Sequence, residues 1–197
     1  MFIMSNSKIN SLMISDSIIL WTNDITMKSF IDIVVVVRNL LNNSFIFGTP
    51  LRGAISLGNL SFLQHDMSSE TKYVQNSLIG EGLIKSYLME SGQNWAGCII
   101  DNACIENYQS QFNRIKDKKD IADIDYLEQK KILLKYNVPY KVGEIKEYYV
   151  INWNKDKIIN EQLIKSSFEQ HNKNVNNWDV ETKIKNTLEF YKFTKSR

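Results

Sequence analysis

The feature that most constrains the fold lies near the N-terminus, where Ser15, Asp16 and Ser17 separate two short apolar stretches, residues 12–14 and 18–21. Apolar runs on both sides of a polar break predict a β-hairpin whose turn carries Asp16. A carboxylate at a turn can hydrogen-bond to its own backbone, and it can also serve as an oxygen ligand of a hard cation. The hairpin taken alone favours the turn role and leaves the metal role open.

The chain has 197 residues, 43% of them hydrophobic, which predicts one globular domain with a full core. Its 24 basic and 22 acidic residues give a net charge of only +2. Because no large basic field results, nucleic acid and anionic membranes are not expected partners, whereas local phosphate binding remains open.

The most apolar segment, residues 30–41, contains Asp32 and Arg38 and is too short to span a bilayer. Its four consecutive valines favour a strand by propensity, but the length of the region favours a helix over residues 26–42, packed on a sheet. The first ten residues lack the basic and apolar parts of a secretory leader, so we expect a cytoplasmic protein.

Cys98 and Cys104 are separated by five residues and have no histidine nearby, which does not match a zinc site. We expect both to be buried thiols.

The remaining pattern mixes strands and helices. It indicates an α+β fold with a largely antiparallel sheet that is covered by helices. Residues 51–58 predict a central strand, and its glycines indicate a bulge or a close backbone approach to a neighbouring subunit or a substrate. The other predicted segments are a loop at 42–44, an exposed loop or hairpin arm at 64–76, a helix ending at Glu90 and closed by residues 91–92, strands at 96–101 and 146–153, a mixed-charge face at 116–125, and amphipathic helices at 157–171 and 180–193.

Three segments, in this order, resemble the catalytic domain of class III nucleotidyl cyclases. They are the hairpin with Asp16, the strand Leu-Arg-Gly-Ala-Ile-Ser-Leu-Gly at residues 51–58, and the helix between Gly80 and Glu90. The family forms are a hairpin Asp, Leu-Arg-x-Gly-Ile-x-x-Gly, and Gly-Asp-x-Val-Asn-x-Ala-x-Arg-Leu-Glu. The resemblance covers residues 11–105 and is greatest to the bacterial branch that includes the pyrimidine cyclases of anti-phage signalling.

This resemblance implies a ferredoxin-like, palm-type cyclase domain at residues 1–155, followed by a C-terminal helical extension at 156–197. In the family, a ribose 3′-hydroxyl attacks the α-phosphorus and expels pyrophosphate, with two Mg²⁺ or Mn²⁺ ions held by two Asp residues. Asp16 matches the second Asp. The strand that carries the first Asp is missing, so the domain is expected to be N-terminally incomplete. The family builds its sites between two domains, which implies a homodimer.

The resemblance also assigns other positions. Leu12 and Ser77 fall on the two base-selecting positions, and neither matches the purine codes of the family, Lys and Asp for adenine or Glu and Cys for guanine. Ile84 and Leu88 replace the transition-state Asn and Arg, so this stabilisation is absent unless Arg52 or Lys85 supplies it.

The basic candidates keep two roles open. Arg52 either faces the site and binds phosphate or pairs with a carboxylate on the outer face, and Lys85 is either a phosphate ligand or a solvated surface lysine.

The expected function is conversion of uridine or cytidine triphosphate to the 3′,5′-cyclic monophosphate in anti-phage signalling, impaired by truncation. The first alternative is a catalytically inactive, dimerising nucleotide-binding or regulatory module. The second is a structural partner protein that docks through residues 156–197.

Overall fold

The computed structural model describes residues 9–67, 73–118, 121–172 and 177–197, and their elements confirm an α+β fold. In chain order the elements are β1 (Asn10–Ile14), β2 (Ser17–Trp21), α1 (Met27–Ile46), β3 (Gly53–Ile55), β4 (Ser61–Met67), β5 (Tyr73–Ile79), α2 (Glu81–Ser91), β6 (Cys98–Ile100), α3 (Asn102–Arg114), α4 (Ile124–Gln129), β7 (Leu133–Pro139), β8 (Ile145–Ile151), α5 (Glu161–Glu169), a short 3₁₀ turn (Gln170–Asn172) and α6 (Trp178–Ser196).

The main sheet has four strands in the order β3-β6-β8-β7. It is mixed, because β3 pairs with β6 in parallel while β6–β8 and β8–β7 are antiparallel. The expectation of a central strand at residues 51–58 is wrong, since β3 is short and lies at one edge of this sheet. Two separate antiparallel hairpins, β1-β2 and β4-β5, complete the described strands.

The helix predicted at residues 26–42 is α1, and it begins after Thr26, whose side chain accepts a hydrogen bond from Ser29 N. The expectation of a loop at residues 42–44 is wrong, because α1 continues to Ile46. Tertiary contacts hold this last turn: Asn42 Nδ2 donates to Trp153 O at 3.1 Å, and Phe45 is fully buried. Within the valine run, Val34 is fully buried and Val37 packs against the core, so packing of the helix overrides the strand propensity of the valines.

Among the described residues, α1 is the one helix whose length and composition would let it cross a membrane, a test that the core helix of a soluble protein also meets. Its residues Val34, Leu41 and Phe45 recur at helical spacing and are buried in the core.

The C-terminal helices belong to this same core. Phe190 of α6 is fully buried, with its ring 4.7 Å from that of Trp95 and 5.6 Å from that of Trp153. Thr187 Oγ1 accepts a hydrogen bond from Ala96 N at 2.9 Å. Helices α5 and α6 thus share the hydrophobic core of the preceding segments.

The predicted arm at residues 64–76 has a hairpin backbone, formed by β4 and β5, and its residues 68–72 lie outside the described part of the chain. Cys98 and Cys104 are buried free thiols, as expected. The glycines near β3 do serve a close backbone approach: a Cβ on Gly58 would lie 2.5 Å from Gly82 N, at the start of α2. This contact is within the chain.

Candidate functional site

Asp16 lies in the two-residue turn that joins β1 to β2, between the paired residues Ile14 and Ser17. Ser15 adopts a left-handed conformation, with φ 56°. The Asp16 side chain is exposed, and within the described part of the chain no side chain forms an ion pair or hydrogen bond with it. The structure therefore confirms the predicted turn position and leaves the carboxylate available to a ligand from outside the chain.

The hairpin around Asp16 carries exposed apolar side chains. Met13 is 71% exposed, Ile14 53% and Ile18 40%. Met13 and its partner Ile18 lie on one face of the hairpin, whereas Ile14 shares the other face with the half-buried Leu12 and its partner Ile19. We call Met13, Ile14 and Ile18 the hairpin patch, and it places apolar surface on both faces of the hairpin beside the acid.

Arg52, directly before β3, is held by residues of α2 and the loop that follows. Its guanidinium forms an ion pair with the Glu90 carboxylate, and its Nη1 donates to Gln93 O at 2.7 Å. The structure therefore shows the alternative in which Arg52 pairs with a carboxylate, and the expected catalytic role has no free guanidinium to support it.

Lys85 of α2 lies with its Nζ 2.6 Å from Asp101 Oδ2. Contact with the Asp101 carboxylate raises the pKa of the Lys85 ammonium, whose side chain is 39% exposed. Asp101 is buried directly after β6, and its main-chain N–H donates to Ile55 O at 2.8 Å. Asp101 was not among the predicted site residues, although an acid that directly follows the apolar run 98–100 is a sequence signal for a buried ion pair.

The outer face of α2 is apolar. Ile84 and Leu88, which fall on the family's transition-state positions, are more than half exposed, as are Tyr87 and the preceding Ile79. We call these four residues the α2 patch. An exposed apolar group of this kind is a candidate interaction surface.

The predicted site residues fall into separate places. Arg52 and Lys85 both contact acids in the region where α2 packs beside β3 and β6. Asp16 and Leu12 lie on the first hairpin, whereas Ser77 lies on β5, paired with Leu63. The five residues thus lie on three parts of the described fold: the first hairpin, β5, and the region of α2 and β3.

Among the described residues, no group of three or more His, Cys, Asp or Glu side chains could hold a metal ion by itself. Asp16 offers one carboxylate, whereas the two-cation chemistry of the resembled family uses two. A metal at Asp16 would need further oxygen ligands from a nucleotide or from another chain.

No protein-family model, no curated protein and no solved structure matches the chain.

Proposed function

We propose that this chain is a nucleotidyl cyclase-like domain that binds a pyrimidine nucleoside triphosphate between two copies of itself and forms little cyclic product, because Asp16 matches just one of the two metal-binding Asp residues of the resembled family. The proposal takes its family and substrate class from the resemblance of the three sequence segments. The exposed position of Asp16 and the two apolar patches support binding between two copies of the chain.

The observation that carries the proposal is the environment of Asp16. Arg52 and Lys85, the basic candidates, are each paired with an acid of the same chain. Asp16 has no such partner among the described residues and lies on an exposed turn. A lone carboxylate of this kind can contribute one oxygen ligand to a Mg²⁺ or Mn²⁺ ion that also binds triphosphate oxygens.

Two apolar surfaces support self-association. The hairpin patch and the α2 patch are both exposed on the same chain. In a dimer with two-fold symmetry, a contact between the hairpin patch of one copy and the α2 patch of the other would occur twice and bury both. Such an arrangement brings the Asp16 of one copy to the α2 of its partner.

The side chains at the remaining family positions support binding more than turnover. Ile84 and Leu88 cannot donate a hydrogen bond to a developing phosphate charge. Leu12 and Ser77 supply neither purine code, which favours a uracil or cytosine base. Cyclisation would require a second carboxylate in addition to Asp16.

A second candidate is a regulatory module that dimerises without binding nucleotide. The ion pairs Arg52–Glu90 and Lys85–Asp101 favour it. They neutralise the two cations that would otherwise bind the triphosphate. It predicts self-association through the same patches and no nucleotide affinity.

Incubation of the purified chain with each of the four nucleoside triphosphates and Mn²⁺, followed by chromatography of the products, tests the activity. We expect little cyclic monophosphate, with any conversion confined to UTP or CTP. Rapid cyclisation would contradict the claim that Ile84 and Leu88 leave the transition state without stabilisation. Conversion of a purine triphosphate alone would contradict the pyrimidine substrate class. Calorimetry with non-hydrolysable UTP separates the two candidates, since only the first binds it.

A further inference from the structure

We propose that a groove at the far edge of the main sheet binds a small anion that carries an aromatic ring. The groove has a volume of ≈ 600 Å³ and lies between β7 and the C-terminal end of α6. Sites for small ligands have volumes of this order. Because β7 and β3 are opposite edges of the sheet, this groove is separate from the region of Arg52 and α2.

Aromatic side chains line one part of the groove. The rings of Tyr136 on β7 and Phe193 on α6 have centroids 5.0 Å apart and are tilted by 48°. Both side chains are only partly buried, so ring surface remains available. A planar ligand ring can pack against them with the offset or edge geometry that aromatic groups prefer.

Three cations surround these rings: Lys131, Lys135 and Arg197. The Arg197 guanidinium lies over the Phe193 ring at 5.2 Å, and Lys131 Nζ donates to the main-chain oxygen of Arg197. In the described part of the chain, no carboxylate pairs with this guanidinium. Its N–H donors can therefore bind a phosphate or carboxylate in a bidentate manner.

Two acids, Glu128 and Glu147, also line the groove, and Arg197, the last residue of the chain, adds its terminal carboxylate, so the formal charges of the groove cancel. The two lysines are already matched: Lys131 Nζ contacts the terminal oxygen of Arg197, and Lys135 Nζ lies 3.9 Å from Glu128 Oε2, which also accepts a hydrogen bond from Tyr149 OH at 3.1 Å. The Arg197 guanidinium, next to the Phe193 ring, is therefore the group that would bind the anion.

Phenyl phosphate is a suitable probe, because inorganic phosphate and phenol each supply one half of its chemistry. Titration of phenyl phosphate into the ¹⁵N-labelled chain should give saturable chemical-shift changes at amides of β7 and of the last turn of α6. Phenyl phosphate should bind at least tenfold more tightly than inorganic phosphate or phenol. Arg197→Gln should weaken binding at least tenfold, whereas Arg114→Gln, an exposed arginine at the end of α3, should not change it.

Phe193→Leu adds a test of the ring: it should weaken phenyl phosphate and leave inorganic phosphate unchanged. The absence of saturable shifts at β7 and α6 would overturn the proposal, as would wild-type affinity in Arg197→Gln. Equal affinity for phosphate and phenyl phosphate would overturn the role of the aromatic rings. Because Arg197 is exposed, its substitution leaves the core intact.

Discussion

The Arg52 guanidinium and the Glu90 carboxylate form an ion pair that joins the residue before β3 to the last turn of α2. Their side chains are only 17% and 26% exposed, and the second bond of Arg52, to Gln93 O, fixes the same junction. Ion pairs shielded from water in this way are costly to break by removing one partner, because the other charge is left uncompensated. The pair therefore stabilises the contact between α2 and the sheet.

Arg52→Met should lower the free energy of unfolding by roughly 2–3 kcal/mol, since it leaves Glu90 without its partner and Gln93 O without a donor. Urea denaturation measures this, and a double-mutant cycle with Glu90→Gln isolates the pairwise coupling. Unchanged stability together with weakened triphosphate binding would assign Arg52 to ligand binding instead.

Phe190→Ala should destabilise the protein by roughly 3–5 kcal/mol, because its fully buried ring packs against Trp95 and Trp153. The matched control is Val142→Ala, which truncates a side chain that is 87% exposed and should change stability by less than about 0.5 kcal/mol. Similar effects of the two substitutions would show that α6 does not share the core.

Stability should fall at alkaline pH. Burial, followed by the nearby Asp101 charge, raises the pKa of the Cys104 thiol from 9.0 to about 12. Between pH 9 and pH 12 the folded protein keeps the thiol proton, whereas the unfolded chain loses it. The contribution of Cys104 to the free energy of unfolding is therefore complete below pH 9 and is lost as the pH rises toward 12. One such group gives a slope of at most about 1.4 kcal/mol per pH unit.

Urea denaturation at pH 8, 9.5 and 10.5 checks this. Cys104→Ala should be less stable than the wild type at pH 8 because of lost packing, but its stability should fall less steeply with pH. A slope remains in the variant, since burial also raises the pKa of Cys98 and raises that of Tyr108 to about 12. Parallel pH profiles for the two proteins would refute the assignment to Cys104.

Leu88→Glu should abolish self-association without unfolding the chain, because Leu88 is 63% exposed and lies in the α2 patch. Sedimentation velocity measures the oligomeric state, and thermal unfolding monitored by circular dichroism checks the fold. Val142→Glu places the same charge at an exposed apolar position outside both patches and should leave the dimer intact. A dimer that survives Leu88→Glu would exclude the α2 patch from the interface.

Local periodicity was sufficient to predict α1, α6 and the hairpin that carries Asp16, since each pattern is contained in one segment. The edge position of β3 depends on pairing with β6, more than forty residues away, and no local pattern encodes it. The strand β7 was missed because Leu133 and Leu134 are both buried, which breaks the alternation expected of a half-buried strand.

For the site, the turn position of Asp16 followed from its flanking residues. The partners of Arg52 and Lys85 could not be predicted from neighbouring residues. Glu90 and Asp101 contact these cations because α2 packs beside β3 and β6. The sequence shows which residues in this region are charged, whereas their pairing within the chain depends on the packing of distant segments.

The most direct test of the proposed function is calorimetric titration of the chain with non-hydrolysable UTP, with and without Mn²⁺. The account predicts Mn²⁺-dependent binding that is lost in Asp16→Asn and retained in Asp125→Asn, an exposed acid in the first turn of α4. Binding of equal strength in Asp16→Asn, or no binding by the wild type in the presence of Mn²⁺, would contradict it.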